Sequence, residues 1–116
     1  MRPILGVDIE ELDRFESPSE NLINRILSED EKKVYETFQS EKRKKEFLGG
    51  RFAAKEAYKK AYQNFDEPVS FKDVSILNTK DRSPVLTSKY RSEDTVLVSI
   101  SHSDHYVVAV VSGETT

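Results

Sequence analysis

The longest regular pattern in the sequence is a helix predicted over residues 40–63. Its first turns are basic, and its later turns are apolar and rich in alanine: Phe47, Leu48, Phe52, Ala53, Ala54, Ala57, Tyr58, Ala61 and Tyr62. The pair Gly49 and Gly50 lies inside this pattern, and each glycine costs roughly 1 kcal/mol relative to alanine in a helix interior. We therefore expect another part of the chain to approach the helix backbone at this pair. The alternative is a break between two shorter helices.

An apolar run at residues 4–9 is too short for a helix and rich in β-branched residues, which predicts a buried strand. Side chains alternate between the two faces of a strand, so Asp8 lies on the opposite face from Val7 and Ile9. We expect Val7 and Ile9 to hold the core. A carboxylate on the other face either marks a solvated strand end or binds a ligand.

Two helix starts follow this strand. In the first, Ser17 is the expected cap, Pro18 takes the first helical position and Glu20 closes a capping box. The second start repeats the same logic from Ser28 to Glu31. These signals predict two short amphipathic helices with a bend between them.

The sequence pattern of the second half of the chain predicts β-strands. The candidate strands are residues 69–77, 84–86, 95–101 and 106–112. Residues 106–111 are apolar at every position, which is typical of a central strand. A strand followed by helices and then by strands predicts one α+β domain over residues 1–116, with a mainly antiparallel sheet packed against the long helix.

Composition excludes several classes of site. The sequence contains no cysteine, so disulfides, thiolate nucleophiles and zinc–thiolate sites are excluded, and a metal would need oxygen or histidine ligands. The formal net charge of −3 provides no general attraction for a polyanion. The basic run at residues 42–45 lacks interleaved aromatic residues, so we expect no nucleic-acid partner. No apolar stretch approaches the roughly 20 residues of a membrane span, so we expect a cytoplasmic protein without a membrane partner.

The long helix also carries an acid on an apolar stripe. Residues three or four apart share a helix face, which places Glu56 and Lys60 in line with Leu48 and Phe52. One interpretation is a simple Glu56–Lys60 ion pair on the helix surface. The other makes Glu56 a metal ligand and Lys60 a phosphate-binding cation. Asp8 and Glu56 would suit Mg²⁺, which takes one or two carboxylates and completes its coordination with water and phosphate oxygens.

The turn at residues 99–105 gathers three serines and two histidines at a hairpin tip. His102 could donate a hydrogen bond to phosphate or transfer a proton near neutral pH. A Ser-His-Asp triad would also need a specific geometry, which hydroxyl, imidazole and acid groups this close in sequence do not by themselves imply.

These motifs resemble the holo-[acyl-carrier-protein] synthases, the small bacterial 4′-phosphopantetheinyl transferases. Residues 5–15 (LGVDIEELDRF) are similar to the family's opening strand, and residues 46–61 (EFLGGRFAAKEAYKKA) resemble its helix motif. The hairpin at residues 98–103 (VSISHS) adds a third similarity. The resemblance covers almost the whole chain in the same order.

The resemblance implies transfer of 4′-phosphopantetheine from coenzyme A to a serine hydroxyl of apo acyl carrier protein, with release of adenosine 3′,5′-bisphosphate. It implies that Asp8 and Glu56 hold Mg²⁺ and that Lys60 joins them in catalysis; the base that takes the serine proton stays open between Asp8, Glu56 and a metal-bound water. The residues implied to bind coenzyme A are Arg51, Phe52, Lys60, Pro84, Ser101, His102 and Ser103. Those implied to bind the carrier protein are Arg14, Leu22, Arg25 and Ile26.

The sequence departs from the family pattern at three places. Residues 62–67 replace a small, glycine-containing loop, Lys59 stands where serine is common, and Arg82-Ser83-Pro84 replaces a more usual Gly-Lys-Pro turn. The first change bears on coenzyme A affinity and the last on a turn expected to border the nucleotide. Family members are typically trimers with the site between subunits, which would give a small chain of 116 residues two walls for a large ligand. The alternatives are a noncatalytic interaction module and a metal-dependent phosphohydrolase.

Overall fold

The computed structural model describes residues 2–62 and 69–115. Strand β1 (Arg2–Glu11) leads through a 3₁₀ turn (Leu12–Phe15) into three helices, α1 (Glu20–Ile26), α2 (Glu29–Thr37) and α3 (Glu41–Ala61). A second 3₁₀ turn (Phe71–Asp73) precedes β2 (Val74–Asn78), β3 (Pro84–Ser88), β4 (Thr95–His102) and β5 (Tyr106–Thr115). The predicted α+β class is confirmed. Within the described ranges, no helix is long and apolar enough to span a membrane.

The strands form two antiparallel sheets. One has the order β1-β5-β4, and the other is the β2-β3 hairpin. Strand β5 is central, as its apolar sequence predicts, and it pairs with β1 along its whole length from Arg2–Thr115 to Glu11–Tyr106. The main sheet is therefore built from the two ends of the described chain.

Helix α3 packs on the main sheet through a face of small residues. Ala53, Ala54 and Ala57 are fully buried there. The helix is continuous through the glycine pair, so the alternative of a break is wrong. A Cβ atom on Gly49 would lie 2.8 Å from Cδ2 of Leu12 and one on Gly50 would lie 3.3 Å from Cγ2 of Ile100, which confirms the expected close approach.

The predicted helix and strand starts need small corrections. Helix α1 is capped by Ser19, whose side chain accepts a hydrogen bond from the Leu22 amide. Ser17 is not the cap, since its φ of 48° places it in the left-handed region. The capping box of Ser28 is confirmed. The strand predicted from residue 69 begins only at β2, after a 3₁₀ turn, and the predicted helix end at residue 63 and loop residues 63–67 lie outside the described residues.

The predicted core face of β1 is wrong. Val7 and Ile9 are 54% and 65% exposed, whereas Ile4 and Asp8 are buried against the helix side of the sheet. The reason lies at Gly6, where an added Cβ would be 2.0 Å from the Ala57 carbonyl oxygen. The backbones of β1 and α3 are in contact there, and only the strand face that carries the glycine can make this approach.

Candidate functional site

The close approach of β1 to α3 brings Asp8 against the last turns of the helix. Asp8 is only 7% exposed. Its Oδ1 accepts a 2.8 Å hydrogen bond from Lys60 Nζ, which also donates to the Val7 carbonyl at 3.3 Å. Asp8 Oδ2 is buried and has no hydrogen-bond partner. The interpretation of Asp8 as a solvated strand end is therefore wrong.

Glu56 lies one helical turn before Lys60 but does not pair with it. Its Oε1 is 3.8 Å from Nζ of Lys59, and its side chain is partly exposed. Lys60 instead reaches across to the strand. The hydrogen bond to Asp8 raises the pKa of Lys60, with a smaller contribution from the charge of Glu56, so its ammonium group stays charged beside the two acids. The interpretation of Glu56 and Lys60 as a simple surface ion pair is therefore wrong.

Glu10 is a third acid near this site, which the sequence analysis did not single out. It lies two residues after Asp8 on the same strand face and forms an ion pair with Arg14. Burial, together with the interaction with Asp8, raises the pKa of Glu10 to about 7, while Arg14 opposes the change. The i, i+2 spacing from Asp8 is the signal that could have identified it.

The four residues expected to bind a carrier protein line one cavity of about 990 Å³, which we call the α1 cavity. They are Arg14, Leu22, Arg25 and Ile26. Phe52 and Glu56 line the same cavity. The guanidinium carbon of Arg14 lies 5.1 Å from the centre of the Phe52 ring. Ile26 is only 2% exposed, so it forms part of the wall and presents little surface of its own.

A second cavity, of about 620 Å³, lies at the other end of α3. We call it the arginine cavity because its lining includes Arg43, Arg51 and Arg82, together with Pro84 and His102. Three of the residues expected to bind coenzyme A, namely Arg51, Pro84 and His102, are brought together here. Ser101, near the end of β4, and Ser103, in the β4–β5 turn, are both exposed and lie outside the cavity lining.

The predicted ligand-binding residues thus fall into two groups on one chain. His102 Nδ1 lies 3.6 Å from Glu46 Oε2, near the start of α3, whereas Lys60 lies near its end. Glu46 and Lys60 are about 21 Å apart along the helix axis, since each residue of an α-helix rises 1.5 Å. Phe52 belongs to the α1 cavity, between the two groups.

A buried ion pair supports the α1 cavity from behind, and the sequence analysis missed it. Lys55 and Glu31 are paired and fully buried. Lys55 Nζ also donates to the carbonyls of Ile26, at 2.7 Å, and Phe71, at 2.9 Å, both of which line the cavity. Burial lowers the pKa of Lys55, while the charge of Glu31 opposes that shift. The available signal was the spacing of Lys55, which lies seven residues after Leu48 and three before Tyr58 and so shares a helix face with these two apolar residues.

Asp8 contacts Lys60 directly, and Glu56 lies one helical turn before Lys60 on α3. Residues 2–62 and 69–115 contain no cluster of three or more His, Cys, Asp or Glu side chains that could hold an ion. Mg²⁺ does not require one, because it keeps several waters and binds substrate phosphates. The buried, unpartnered Oδ2 of Asp8 is the kind of atom that a bound cation satisfies. A buried carboxylate oxygen of this kind is a donor that suits Mg²⁺.

Comparison with known proteins assigns the chain to a family. Residues 4–111 match the model of the 4′-phosphopantetheinyl transferase superfamily. The chain belongs to this superfamily. Within the transferase superfamily it is similar to the holo-[acyl-carrier-protein] synthase of Geobacillus sp. (strain WCH70), with 46% identity over 112 residues and 92% of each chain covered. The synthase of Acholeplasma laidlawii is 38% identical, over 96% of this chain and 95% of that one.

Solved structures of such transferases share the fold. The Bacillus anthracis holo-(acyl-carrier-protein) synthase, crystallised in complex with coenzyme A (3′,5′-ADP), is 39% identical, with a TM-score of 0.86 and coverage of 97% of this chain and 96% of that one. The Thermotoga maritima synthase is 35% identical with a TM-score of 0.78, over 97% of this chain and 64% of that one. The resemblance inferred from the sequence motifs is confirmed, and the chain is an enzyme of the phosphopantetheinyl transferase class.

Proposed function

We propose that this transferase moves 4′-phosphopantetheine from coenzyme A to a serine hydroxyl of apo acyl carrier protein and requires Mg²⁺. The observation that carries the proposal is the buried Asp8 carboxylate, which is bound by Lys60 on one oxygen and unpartnered on the other. The relatives named holo-[acyl-carrier-protein] synthase and the coenzyme A complex of the Bacillus anthracis protein support the choice of substrates.

The proposed reaction is a displacement at phosphorus. The serine oxygen forms a bond to the phosphorus that carries pantetheine, and the bond from that phosphorus to the bridging oxygen of the diphosphate breaks. The bridging oxygen keeps the electron pair and leaves with adenosine 3′,5′-bisphosphate, and the serine proton passes to a base. Asp8 and Glu56 are this chain's candidates for that base, because both carboxylates border the proposed site.

Three side chains have proposed roles around the reacting phosphate. Asp8 and Glu56 would hold Mg²⁺, which when bound neutralises negative charge on the diphosphate. Lys60 places an ammonium group beside Asp8, and its side chain is 54% exposed, so it can reach a ligand oxygen. A fixed cation at this position stabilises charge that develops in the transition state.

The carrier protein would dock in the α1 cavity. Arg14 and Arg25 line it and would attract the carboxylates of an acidic partner, while Leu22 supplies an apolar contact. Glu56 lies in the same lining, which would bring the partner's serine close to the proposed metal site.

Coenzyme A would bind between subunits of a homotrimer. The arginine cavity and the Asp8–Lys60 group lie at opposite ends of α3, so a second chain could supply one of the two walls. The sheet face turned away from α3 is apolar and uncovered, with Leu5, Val7, Ile9, Leu97, Tyr106 and Val110 exposed. These exposed apolar residues on one face are typical of an association surface.

Mass spectrometry of apo acyl carrier protein incubated with coenzyme A and Mg²⁺ tests the proposal. We expect a mass gain of one phosphopantetheine group. Asp8→Asn and Glu56→Gln should each lower kcat/KM by about 100-fold or more, the scale of losing one electrostatic contact to a transition state. Glu36→Gln is the matched control, because Glu36 is an exposed acid of α2 outside every described cavity.

The possible outcomes separate the alternatives. A noncatalytic module would bind the carrier protein without any mass gain. A phosphohydrolase would release pantetheine phosphate and leave the carrier protein unmodified. Absence of a mass gain at every Mg²⁺ concentration, together with absence of coenzyme A binding, would contradict the proposal.

A further inference from the structure

The α1 cavity carries more positive charge than Arg14 and Arg25 supply. Its lining also includes Lys59, near the end of α3, and Lys72, in the second 3₁₀ turn. Glu56 is the only carboxylate of this lining among the described residues. The cations of the cavity therefore come from two parts of the chain, the segment of residues 14–25 and the two elements that carry Lys59 and Lys72.

Lys59 faces this cavity, whereas its neighbour Lys60 faces the Asp8 site. Successive residues of an α-helix point in directions about 100° apart, because the helix has 3.6 residues per turn. Lys60 donates a hydrogen bond to Asp8 on β1 and is absent from the cavity lining. The Lys59 ammonium nitrogen lies 5.5 Å from the centre of the Phe71 ring, which lines the α1 cavity. The charge of Lys59 is thus added to the proposed docking site.

Both lysines can reach an approaching molecule, because both are exposed. Lys72 forms no ion pair with any residue in the ranges 2–62 and 69–115. Nζ of Lys59 is 3.8 Å from Glu56 Oε1, which is too far for a hydrogen bond. Glu56 is a proposed ligand of Mg²⁺, so its charge would be taken up by the metal. The two ammonium groups then remain for carboxylates of a partner.

We propose that Lys59 and Lys72 form a second cationic side of the docking site and determine its specificity for the carrier protein. The inference rests on the proposed function. The carrier that fits this site presents carboxylates on two sides of the surface that enters the α1 cavity, one set for Arg14 and Arg25 and another for the two lysines. Position 59 is also one at which this sequence departs from the family pattern, where serine is common. This part of the recognition is therefore a property of the present chain.

Steady-state kinetics of the full chain with apo acyl carrier protein, coenzyme A and Mg²⁺ test the role of the lysines. Lys59→Gln and Lys72→Gln should each raise KM for the carrier about threefold, the scale of losing one exposed ion pair. The double variant should raise it about tenfold, because effects at separate sites add. KM for coenzyme A should stay within twofold of wild type in all three variants.

The salt dependence separates a charge contact from a merely structural role. The plot of log kcat/KM for the carrier against log salt concentration should be less steep for the double variant, since fewer charges attract the partner. Lys59→Arg keeps the charge and should stay within about twofold of wild type. Lys33→Gln is the matched control, because Lys33 is an exposed lysine of α2 outside the α1 cavity. It should leave KM for the carrier unchanged.

Three results would overturn the role of Lys59 and Lys72 and leave the proposed function intact. They are a double variant with the KM and salt dependence of wild type, an equal rise in KM for coenzyme A, and an equal effect of Lys33→Gln. A wild-type chain that transfers no phosphopantetheine to any acidic carrier protein would overturn both proposals.

Discussion

Gly6 and Ala57 bring the backbones of β1 and α3 into contact: a Cβ atom on Gly6 would lie 2.0 Å from the Ala57 carbonyl oxygen and 2.7 Å from the Ala61 amide nitrogen. Two residues further along the strand, Asp8 reaches Lys60, one residue before Ala61. The glycine therefore sets the separation of the two elements that hold the proposed metal site.

Gly6→Ala should destabilise the fold and weaken the site together. The new methyl group would meet backbone atoms that cannot rotate away, so we expect a loss of about 3 kcal/mol in the free energy of unfolding. Gly50→Ala is the control, because its Cβ would meet a methyl group of Ile100 at 3.3 Å and because alanine favours a helix. It should stay within about 1 kcal/mol of wild type, by the same propensity scale. Chemical denaturation measures both, and equal losses would contradict the argument.

Glu10 should make the stability of the metal-free protein depend on pH. Burial and the neighbouring Asp8 raise its pKa to about 7 in the folded state, from an ordinary value of 4.5 for glutamate. Between these two values the unfolded chain loses the proton while the folded chain keeps it, so the free energy of unfolding falls as pH rises. Above about pH 7 both states are ionised and this loss is complete.

Glu10→Gln should remove the part of the pH dependence of stability that Glu10 causes. The variant should gain stability relative to wild type as pH rises from 4.5 to 7, and the difference should then level off. Denaturant titrations at fixed pH values, with Glu11→Gln as an exposed neighbouring control, measure the difference. A stability difference that does not change with pH would contradict the assignment.

The buried Lys55–Glu31 pair should be costly to break from one side. Lys55→Met leaves the Glu31 carboxylate buried without its cation, which costs about 3–5 kcal/mol. The double change of Lys55→Met with Glu31→Gln removes both charges and should recover part of that loss. Lys59→Met is the control, because its exposed pair with Glu56 contributes about 1 kcal/mol or less. Losses in the double variant equal to the sum of the single losses would show that the two side chains are not coupled.

The apolar sheet face should determine the oligomeric state. Val7→Lys places a charge in the middle of that face and should shift the protein toward monomer in sedimentation velocity. Val85→Lys is the matched control, because Val85 is 46% exposed on β3, which belongs to the other sheet. A wild-type chain that is monomeric at all concentrations would contradict the proposed trimer.

The sequence predicted the positions of the helices and strands better than it predicted which face of β1 is buried. Alternation in β1 was correct, yet Val7 and Ile9 were placed in the core because apolar side chains usually indicate a covered face. Hydrophobicity does not show whether the cover comes from the same chain or from another one. The deciding feature was Gly6, whose contact with Ala57 depends on the helix position and cannot be derived from strand periodicity.

Some residues of the candidate site could be predicted from the sequence, and others could not. Asp8, Glu56 and Lys60 are predicted as site residues from spacing and resemblance, and the structure brings Asp8 and Lys60 into contact. Lys55 was overlooked, because a lysine on a helix is usually solvated and its three acceptors come from distant segments. The hydrogen bond from Lys55 to Ile26 joins residues 29 positions apart, so no local sequence pattern indicates it.

The bond from Lys55 to Ile26 also limits how the enzyme could be redirected to other carriers. Lys55 binds the Ile26 carbonyl in the wall of the α1 cavity, and it directly precedes Glu56 in the chain. The position of this cavity wall is therefore coupled to the position of a proposed catalytic acid. Substitutions of the cavity-lining side chains Leu22 or Arg25 leave the bond from Lys55 to the Ile26 carbonyl in place. Insertions or deletions that shift the Ile26 carbonyl would move Glu56 as well. Selection for a new partner is therefore expected to accumulate in exchangeable side chains while the length of the segment from α1 to α2 stays constant.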